Sequence, residues 1–426
     1  RPGRRPRVMV LMLGLLAVVT VSVGCSKDSA TKTADQGPKV VTSTTTKEGA
    51  NEPAATSAPV DAPAPEQYTG TDEEFYRVPD PLPAGRPGQL IRVQQLGEKD
   101  GYVNLKVMYH SVDGRDRDRA VTGIITYPTA AAPKGGWPVV STARGTSGLS
   151  SACAVSRAGA AAPGYGIEGV HVASDYIGLG PIGERQPYLS GPSEAHAVID
   201  AVRAAQLLPD AHASTRWLAV GHSQGGHSAL FTNQLAASYA PELELLGTVS
   251  SAPAAAVDRT FGPDDQVVPR MVGIMALYGI AEDNPEIKVD EYIGDQVAAV
   301  DDVVSTGCTD DIVNAMVGIP ADVFYKANPI DTEPARSVML ANDPGQVKAD
   351  SPLLFIYGDK DWWVVPDRVE YVFQKVCKVG QVADMVLVPG ADHGTVVAMG
   401  GETITRFLQA RLDGDPPVNA CTTKGK

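Results

Sequence analysis

The chain has 426 residues, of which 43% are apolar and 20% are charged, so most of it can bury a core and global disorder is excluded. This length fits two or three domains of roughly 150 residues, or one large α/β unit with an insertion. A formal charge of -14 argues against a nucleic-acid partner, because phosphate contacts need a basic protein face.

The first 25 residues have the pattern of an export signal. Four Arg residues precede an apolar run over 8–24, whose 17 residues are fewer than the roughly 20 that a membrane-spanning helix needs. The run ends in Ser22-Val23-Gly24-Cys25, which resembles the lipobox of bacterial lipoproteins, although Leu is usual at the position of Ser22. We therefore expect an acylated Cys25 that holds the protein on the outer face of the cell membrane. Ordinary signal cleavage and release as a secreted protein is the alternative.

Residues 26–67 are rich in Ser, Thr, Pro and Ala and contain no aromatic side chain. Such a segment cannot bury enough apolar surface to offset the entropy lost on ordering. We predict a disordered tether that lifts the folded part of the chain off the membrane.

Beyond the tether, short apolar runs alternate with segments of helical periodicity. Residues 103–109 and 121–127 predict two paired strands, joined by the charged turn Asp113-Gly114-Arg115. Further strands are predicted at 137–142, 170–174, 217–220, 246–251, 353–357 and 385–388. Helices are predicted at 194–208, 223–239, 369–376 and 403–412. This alternation predicts an α/β fold, in which helices cover both faces of a mostly parallel sheet.

The interval 254–350 interrupts this alternation. Three apolar segments within it, 267–275, 297–304 and 312–316, have helical spacing. The interval is much longer than one strand-to-strand crossover needs. We predict a helical cap inserted into an α/β core, which residues 68–253 and 351–426 form.

The strongest local motif is Gly221-His222-Ser223-Gln224-Gly225, which fits the G-x-S-x-G nucleophile elbow. It lies between a predicted buried strand and a predicted helix, the context that this motif requires. The elbow would place Ser223 at the positive end of a helix, where an oxyanion is stabilised. A Gly-rich turn without chemistry is the alternative.

A serine nucleophile needs a general base, and the base needs an acid that selects its tautomer. On the α/β-hydrolase pattern both follow the serine, the acid first. After the predicted 223–239 helix the sequence contains one histidine, His393, so it is the candidate base. Asp361 and Asp359 both follow the predicted 353–357 strand. We favour Asp361 as the acid, because it lies further beyond the end of the strand, and Asp359 is the alternative.

Export changes what the cysteines imply. With Cys25 acylated, four remain, an even number in an oxidising compartment: Cys153, Cys308, Cys377 and Cys421. Zinc is not expected, because no C-x-x-C or closely spaced His pair accompanies them. Two disulfides are predicted, and three connectivities are possible.

Several motifs, in a specific order and spacing between residues 70 and 421, bring the chain close to a known family. They are Arg144-Gly145-Thr146-Ser147-Gly148, Cys153-Ala154, 174–180, Pro187-Tyr188-Leu189, 221–226, 341–345, 358–366 and 390–394. In these segments the chain resembles the secretory lipases, α/β-hydrolases similar to Candida antarctica lipase A, and especially their actinobacterial members.

The resemblance implies an α/β-hydrolase fold and esters of glycerol or of simple alcohols as substrates. The family triad of Ser, Asp and His falls on Ser223, Asp361 and His393. The family also has a cap over the acyl site, which the interval 254–350 would supply. The disulfide pairs that the resemblance implies are Cys153–Cys308 and Cys377–Cys421.

The oxyanion hole is expected to use two backbone N–H groups. The first belongs to Gln224, the residue after the nucleophile, and the second to Thr146 or Gly145, in the loop after the 137–142 strand. Members of the family often have His-Gly-Thr where this chain has Arg144. Arg144 is therefore either part of the active site or a surface residue without a role in it.

Other residues near these motifs have structural interpretations. We expect His222 and His227 to pack rather than catalyse, and the pair Asp175-Tyr176 to brace a loop. The tandem Trp362-Trp363 either lines the acyl pocket or packs against the cap.

The sequence contains no phosphate loop, dinucleotide motif or metal-binding spacing, so neither a cofactor nor a metal is expected. The leading function is a monomeric carboxylesterase or lipase that forms an acyl-enzyme with a lipid ester. A serine peptidase or acyltransferase on the same fold is an alternative, as is a non-catalytic surface lipoprotein. The intact Ser, Asp and His argue against the last of these.

Overall fold

The computed structural model describes residues 64–259 and 267–422. The predicted export signal, Cys25 and residues 26–63 of the predicted tether lie outside this range. Glu66–Gln67, which we assigned to the tether, form a short strand beside Arg92 and Val93. The folded part therefore begins before residue 68. In the part of the chain that is described, no helix is both long and apolar enough to cross a lipid bilayer.

One sheet organises the described residues. Its strands are β1 (Glu66–Gln67), β2 (Leu90–Lys99), β3 (Tyr102–Val112), β4 (Asp118–Pro128), β5 (Trp137–Ala143), β6 (Val170–Ser174), β7 (Ala213–His222), β8 (Glu244–Ser251), β9 (Leu353–Gly358) and β10 (Ala383–Val388). Their spatial order is β1-β2-β3-β4-β6-β5-β7-β8-β9-β10. Strands β2, β3, β4 and β6 pair antiparallel, and the run from β6 to β10 is parallel.

The α-helices of the described residues are α1 (Asp72–Phe75), α2 (Gly191–Gln206), α3 (Gln224–Tyr239), α4 (Val267–Asp283), α5 (Asp295–Ala298), α6 (Asp301–Thr306), α7 (Thr309–Met316), α8 (Ala335–Ala341), α9 (Pro366–Lys378), α10 (Val396–Met399) and α11 (Gly401–Asp413). One apolar core lies between the sheet and α2, and a second lies between the sheet, α9 and α11. The sheet with its flanking helices is an α/β-hydrolase fold, as predicted.

The predicted strands and helices of the core are all present, with ends that differ by a few residues. Strand β2 was not predicted, because charged Arg92 and Glu98 interrupt its apolar pattern, and its pairing with β3 is what holds it extended. The turn between β3 and β4 forms as expected. The Asp113 carboxylate accepts the backbone N–H groups of Arg115 and Arg117 at 2.9 and 3.1 Å, which closes the turn.

The described residues between β8 and β9 contain helices and contribute no strand to the sheet. We call residues 254–259 and 267–350 the helical insertion. Because β8 and β9 are adjacent parallel strands, the insertion leaves and re-enters the sheet between neighbours. It has an apolar cluster of its own, centred on α4. The disulfides are Cys153–Cys308, which joins the insertion to the loop after β5, and Cys377–Cys421.

Candidate active site

The chain turns sharply at Ser223, between β7 and α3. Ser223 has φ 60° and ψ -120°, a conformation that side chains rarely adopt. A Cβ atom at Gly221 would lie 1.8 Å from the carbonyl oxygen of Gly225, and one at Gly225 would lie 2.0 Å from that of Ala143. Only glycine fits at either position. These contacts explain the G-x-S-x-G spacing, because strand and helix approach too closely for any side chain.

Three side chains from the carboxyl ends of parallel strands meet at this turn. His393 Nε2 lies 2.9 Å from Ser223 Oγ, and His393 Nδ1 lies 2.7 Å from Asp361 Oδ2. Ser223 follows β7, Asp361 follows β9 and His393 follows β10. The arrangement allows the imidazole to take the serine proton while the carboxylate fixes its tautomer.

The two candidate acids have different surroundings. Asp361 is buried, and its second oxygen accepts the backbone N–H groups of Trp363 and Val364, each at 2.9 Å. The Asp359 side chain is 38% exposed, and its carboxylate accepts the N–H of Gly390 at 2.6 Å. Only Asp361 reaches the imidazole, so geometry favours it, and Asp359 instead supports the turn that precedes His393.

Two rings contact the imidazole of His393. The indole of Trp363 stacks on it with a centroid distance of 5.1 Å, and the ring of His222 lies 4.5 Å away at a tilt of 43°. Burial, with a smaller contribution from His393, lowers the pKa of His222 to about 4. A neutral His222 therefore packs beside the site, as expected. Trp362, in contrast, is 51% exposed.

The expected oxyanion donors lie on two separate elements. Gln224 is the first residue of α3, so its backbone N–H has no partner within the helix. Gly145 approaches the elbow, since a Cβ there would lie 3.5 Å from the carbonyl oxygen of His222. The Thr146 hydroxyl is 2.8 Å from that of Tyr188. Gln224 and Gly145 thus both lie at the elbow, the first at the start of a helix and the second in the loop after β5.

Arg144 is not a plain surface residue. Its side chain is only 12% exposed, and its Nε lies 4.0 Å from a carboxylate oxygen of Asp175. Burial raises the pKa of Asp175, and the Arg144 charge opposes this rise. Asp175 also accepts from Thr122 at 2.7 Å, and Tyr176 donates to the Arg144 carbonyl oxygen at 2.7 Å. The pair Asp175-Tyr176 braces the loop after β5, as we expected.

The helical insertion is bonded directly to this loop. Thr309, at the start of α7, donates its backbone N–H to the Ser147 carbonyl oxygen at 3.0 Å and its hydroxyl to that of Thr146 at 3.3 Å. The neighbouring Cys308 carries the disulfide to Cys153. The position of the second candidate oxyanion donor therefore depends on the insertion.

A small cavity of about 30 Å³ opens beside Ser223 and His393. Its lining is mostly apolar and comes from the core and the insertion: Ala254, Ala255, Val268, Pro269, Val272, Trp363, Val364 and Arg368. Among the described residues, no three His, Cys, Asp or Glu side chains converge in a way that could hold a metal ion. The site thus presents a serine, a base and an apolar wall.

Comparison with solved structures supports the same fold. Candida antarctica lipase A in its closed state is 17% identical, with a TM-score of 0.68 over 83% of this chain and 89% of that one. A rice cell wall degrading esterase, LipA from Xanthomonas oryzae, is 18% identical, with a TM-score of 0.64 over 78% of this chain and 100% of that one. A putative hydrolase from Legionella pneumophila is 17% identical, with a TM-score of 0.62 over 76% and 98%.

Sequence comparison gives the family. A search of curated proteins finds no match. The family model described as secretory lipase, however, matches residues 164–420, which is more than half of the chain and contains Ser223, Asp361 and His393. The match confirms the resemblance that the motifs indicated. This chain belongs to the secretory lipase family.

Proposed function

We propose that this protein is an exported serine esterase or lipase that cleaves lipid esters through an acyl-enzyme. Membership of the secretory lipase family supports an ester hydrolase of this kind. The observation that carries the proposal is the hydrogen-bonded chain from Ser223 through His393 to Asp361, with separations of 2.9 and 2.7 Å.

In the first half of the reaction, Ser223 Oγ attacks the ester carbonyl carbon while His393 Nε2 takes its proton. The tetrahedral intermediate collapses, and His393 returns the proton to the leaving alcohol. Water then repeats these steps on the acyl-enzyme and releases the carboxylic acid. Asp361 keeps Nδ1 protonated and stabilises the imidazolium, and the N–H of Gln224 with that of Thr146 or Gly145 binds the oxyanion.

The helical insertion supplies one wall of the acyl site. Val268, Pro269 and Val272 of α4 face the cavity beside Ser223, so an acyl chain would contact apolar side chains there. In this proposal the insertion is the helical cap that its sequence pattern predicts. Trp363 lines the cavity and also packs against the apolar cluster of the insertion, so both interpretations of the tandem Trp pair apply to it.

Labelling of the serine tests the mechanism. A fluorophosphonate probe should modify wild-type protein at one site, mapped by peptide mass spectrometry to Ser223, and should abolish hydrolysis of p-nitrophenyl butyrate. The variant Ser223→Ala should be neither labelled nor active. Labelling without any ester hydrolysis would favour a peptidase or acyltransferase, and a panel of amides and alcohol acceptors would identify which. Absence of labelling would favour the non-catalytic lipoprotein.

Export and anchoring through acylated Cys25 are part of the proposal. The full-length protein expressed in a bacterial host should fractionate with membranes, and Cys25→Ser should release it into the soluble fraction. Retention of the variant in the membrane fraction would argue against a lipid on Cys25.

A further inference from the structure

A buried charged cluster lies directly behind the nucleophile, outside the triad. Glu194 stands in the first turn of α2, and His227 stands one turn into α3 from Ser223. Both side chains are buried, and Glu194 Oε2 lies 2.9 Å from His227 Nδ1. Burying two such groups costs free energy unless they are paired and fully hydrogen-bonded. We therefore expect this buried pair to have a structural or functional role.

The contacts of His227 indicate that it is an imidazolium. Nδ1 faces a carboxylate oxygen of Glu194, and Nε2 lies 2.8 Å from the carbonyl oxygen of Asn342. A carbonyl oxygen and a carboxylate can only accept, so both ring nitrogens donate, which requires the doubly protonated ring. Burial opposes that charge, but the hydrogen bond and charge of Glu194 outweigh burial and raise the pKa of His227.

The other oxygen of Glu194 connects the two halves of the proposed oxyanion hole. Glu194 Oε1 accepts from the Gln224 side-chain Nε2 at 2.7 Å and from the backbone N–H of Leu189 at 3.0 Å. Gln224 carries the first proposed oxyanion donor. Leu189 follows Tyr188, whose hydroxyl lies 2.8 Å from that of Thr146, a candidate for the second donor.

The backbone at Leu189 gives independent support. Its φ is 56°, a left-handed conformation that is strained for a residue with a side chain and persists only where contacts hold it. The hydrogen bond from its N–H to Glu194 is such a contact. The carboxylate thus bonds to the strained loop from which the Tyr188 hydroxyl reaches Thr146.

We propose that Glu194 is a positioning residue that sets the geometry of the oxyanion hole, with the His227 imidazolium as its fixed counter-ion. The inference rests on the proposed esterase function, and it adds a residue outside the triad that governs transition-state binding. Glu194 touches no substrate and acts through Gln224 and through the loop that carries Tyr188.

The variant Glu194→Met tests this directly. Its thioether side chain is similar in length but has no carboxylate oxygen, so the Gln224 amide and the Leu189 N–H lose the acceptor that they share. We expect kcat for p-nitrophenyl butyrate to fall about 10²–10³-fold, as when one oxyanion donor is lost, with KM changed less than about threefold. Affinity for an alkyl trifluoromethyl ketone, whose hemiketal oxyanion occupies the hole, should fall in parallel with kcat.

Asp200→Asn is the matched control. Asp200 is also buried and ion-paired on α2, but it bonds Ser111, Arg203 and Tyr239, away from the site. Its variant should lose stability while its ketone affinity stays that of wild type. Gln224→Met covers the case in which Glu194→Met does not fold, because it removes one bond to Glu194, keeps the backbone N–H and should also lower kcat selectively.

The outcomes separate this inference from the function on which it rests. Wild-type protein that neither hydrolyses the ester nor reacts with the fluorophosphonate would overturn the proposed function. Active wild type, with folded Glu194→Met and Gln224→Met variants that keep kcat and ketone affinity within about threefold, would overturn the positioning role alone. Equal loss of ketone affinity in Asp200→Asn would do the same, since the effect would then be general to buried carboxylates on α2.

Discussion

Two regions of the molecule are held in shape by different means. One is the sheet edge formed by the carboxyl ends of the parallel strands, which carries the proposed triad, and the other is the helical insertion. At the sheet edge, backbone pairing of β7, β8, β9 and β10 aligns the strand ends from which Ser223, Asp361 and His393 emerge. In the insertion, α5, α6 and α7 have only four, six and eight residues. Helices this short are not stable alone.

The insertion compensates with contacts to the core. Cys308 is covalently joined to Cys153, and Thr309 is hydrogen-bonded to the carbonyl oxygens of Thr146 and Ser147. A region of weak local structure is thus anchored at the loop where the second oxyanion donor is expected. The proposed catalytic side chains therefore lie on the sheet, whereas the loop of the second oxyanion donor is held by the insertion. Variants in each region can test these two roles separately.

The largest effect is expected at the sheet edge. Replacing Ser223 by Ala removes the nucleophile, so kcat/KM for p-nitrophenyl butyrate should fall by about six orders of magnitude with little change in thermal stability, because the triad acts as a unit. The matched control is Ser238→Ala, which lies on the exposed C-terminal turn of α3, the helix that follows Ser223. This variant should leave turnover unchanged. Comparable activity in the two variants would refute the nucleophile.

The next effect distinguishes the two aspartates. Asp361→Asn should lower kcat by about four orders of magnitude, since an amide no longer selects the productive tautomer of His393. Asp359→Asn should lower kcat by less than about tenfold, because its carboxylate bonds only the turn at Gly390. Steady-state kinetics on both variants decides, and the reverse ranking would make Asp359 the acid.

The disulfides test the insertion. Replacing Cys153 and Cys308 by Ser opens a 155-residue separation, worth roughly 5 kcal/mol of unfolding free energy in the chain-entropy model, and replacing Cys377 and Cys421 opens one of 44 residues, worth roughly 4 kcal/mol. Denaturant titration measures both losses. Only the first pair borders the loop after β5, so only its removal should also lower kcat, by about tenfold. An equal effect of the two pairs on kcat would contradict this anchoring.

The smallest effect concerns pH. The folded protein keeps His222 neutral down to pH about 4, whereas the unfolded chain protonates it near 6.5. The unfolded state therefore binds more protons in this window, so stability should fall from pH 6.5 to 4 by up to about 3 kcal/mol. The variant His222→Asn should lack that part of the pH dependence in denaturant titrations. Identical pH profiles for the two proteins would show that His222 titrates normally.

The sequence by itself was sufficient for the order of the strands from β3 to β10 and for the proposed nucleophile and base. Strands such as 217–220 are continuous apolar runs that favour burial, and the glycines of G-x-S-x-G are required by close contacts within a short segment. A single histidine after the 223–239 helix left one candidate base. These features could be predicted because each depends on a short stretch of chain.

Other features were decided only by tertiary structure. The choice of Asp361 over Asp359 depends on which carboxylate reaches an imidazole 32 residues later, and the burial of Arg144 depends on Asp175, which follows a different strand. Glu194 carries no local signal at all. It stands at the start of an ordinary amphipathic helix, and its contacts to Leu189, Gln224 and His227 exist only after α2 and α3 pack together. The periodicity of apolar residues indicates which face of a helix is buried. It cannot indicate which distant polar group contacts a buried charge, because that contact depends on how whole helices and strands pack.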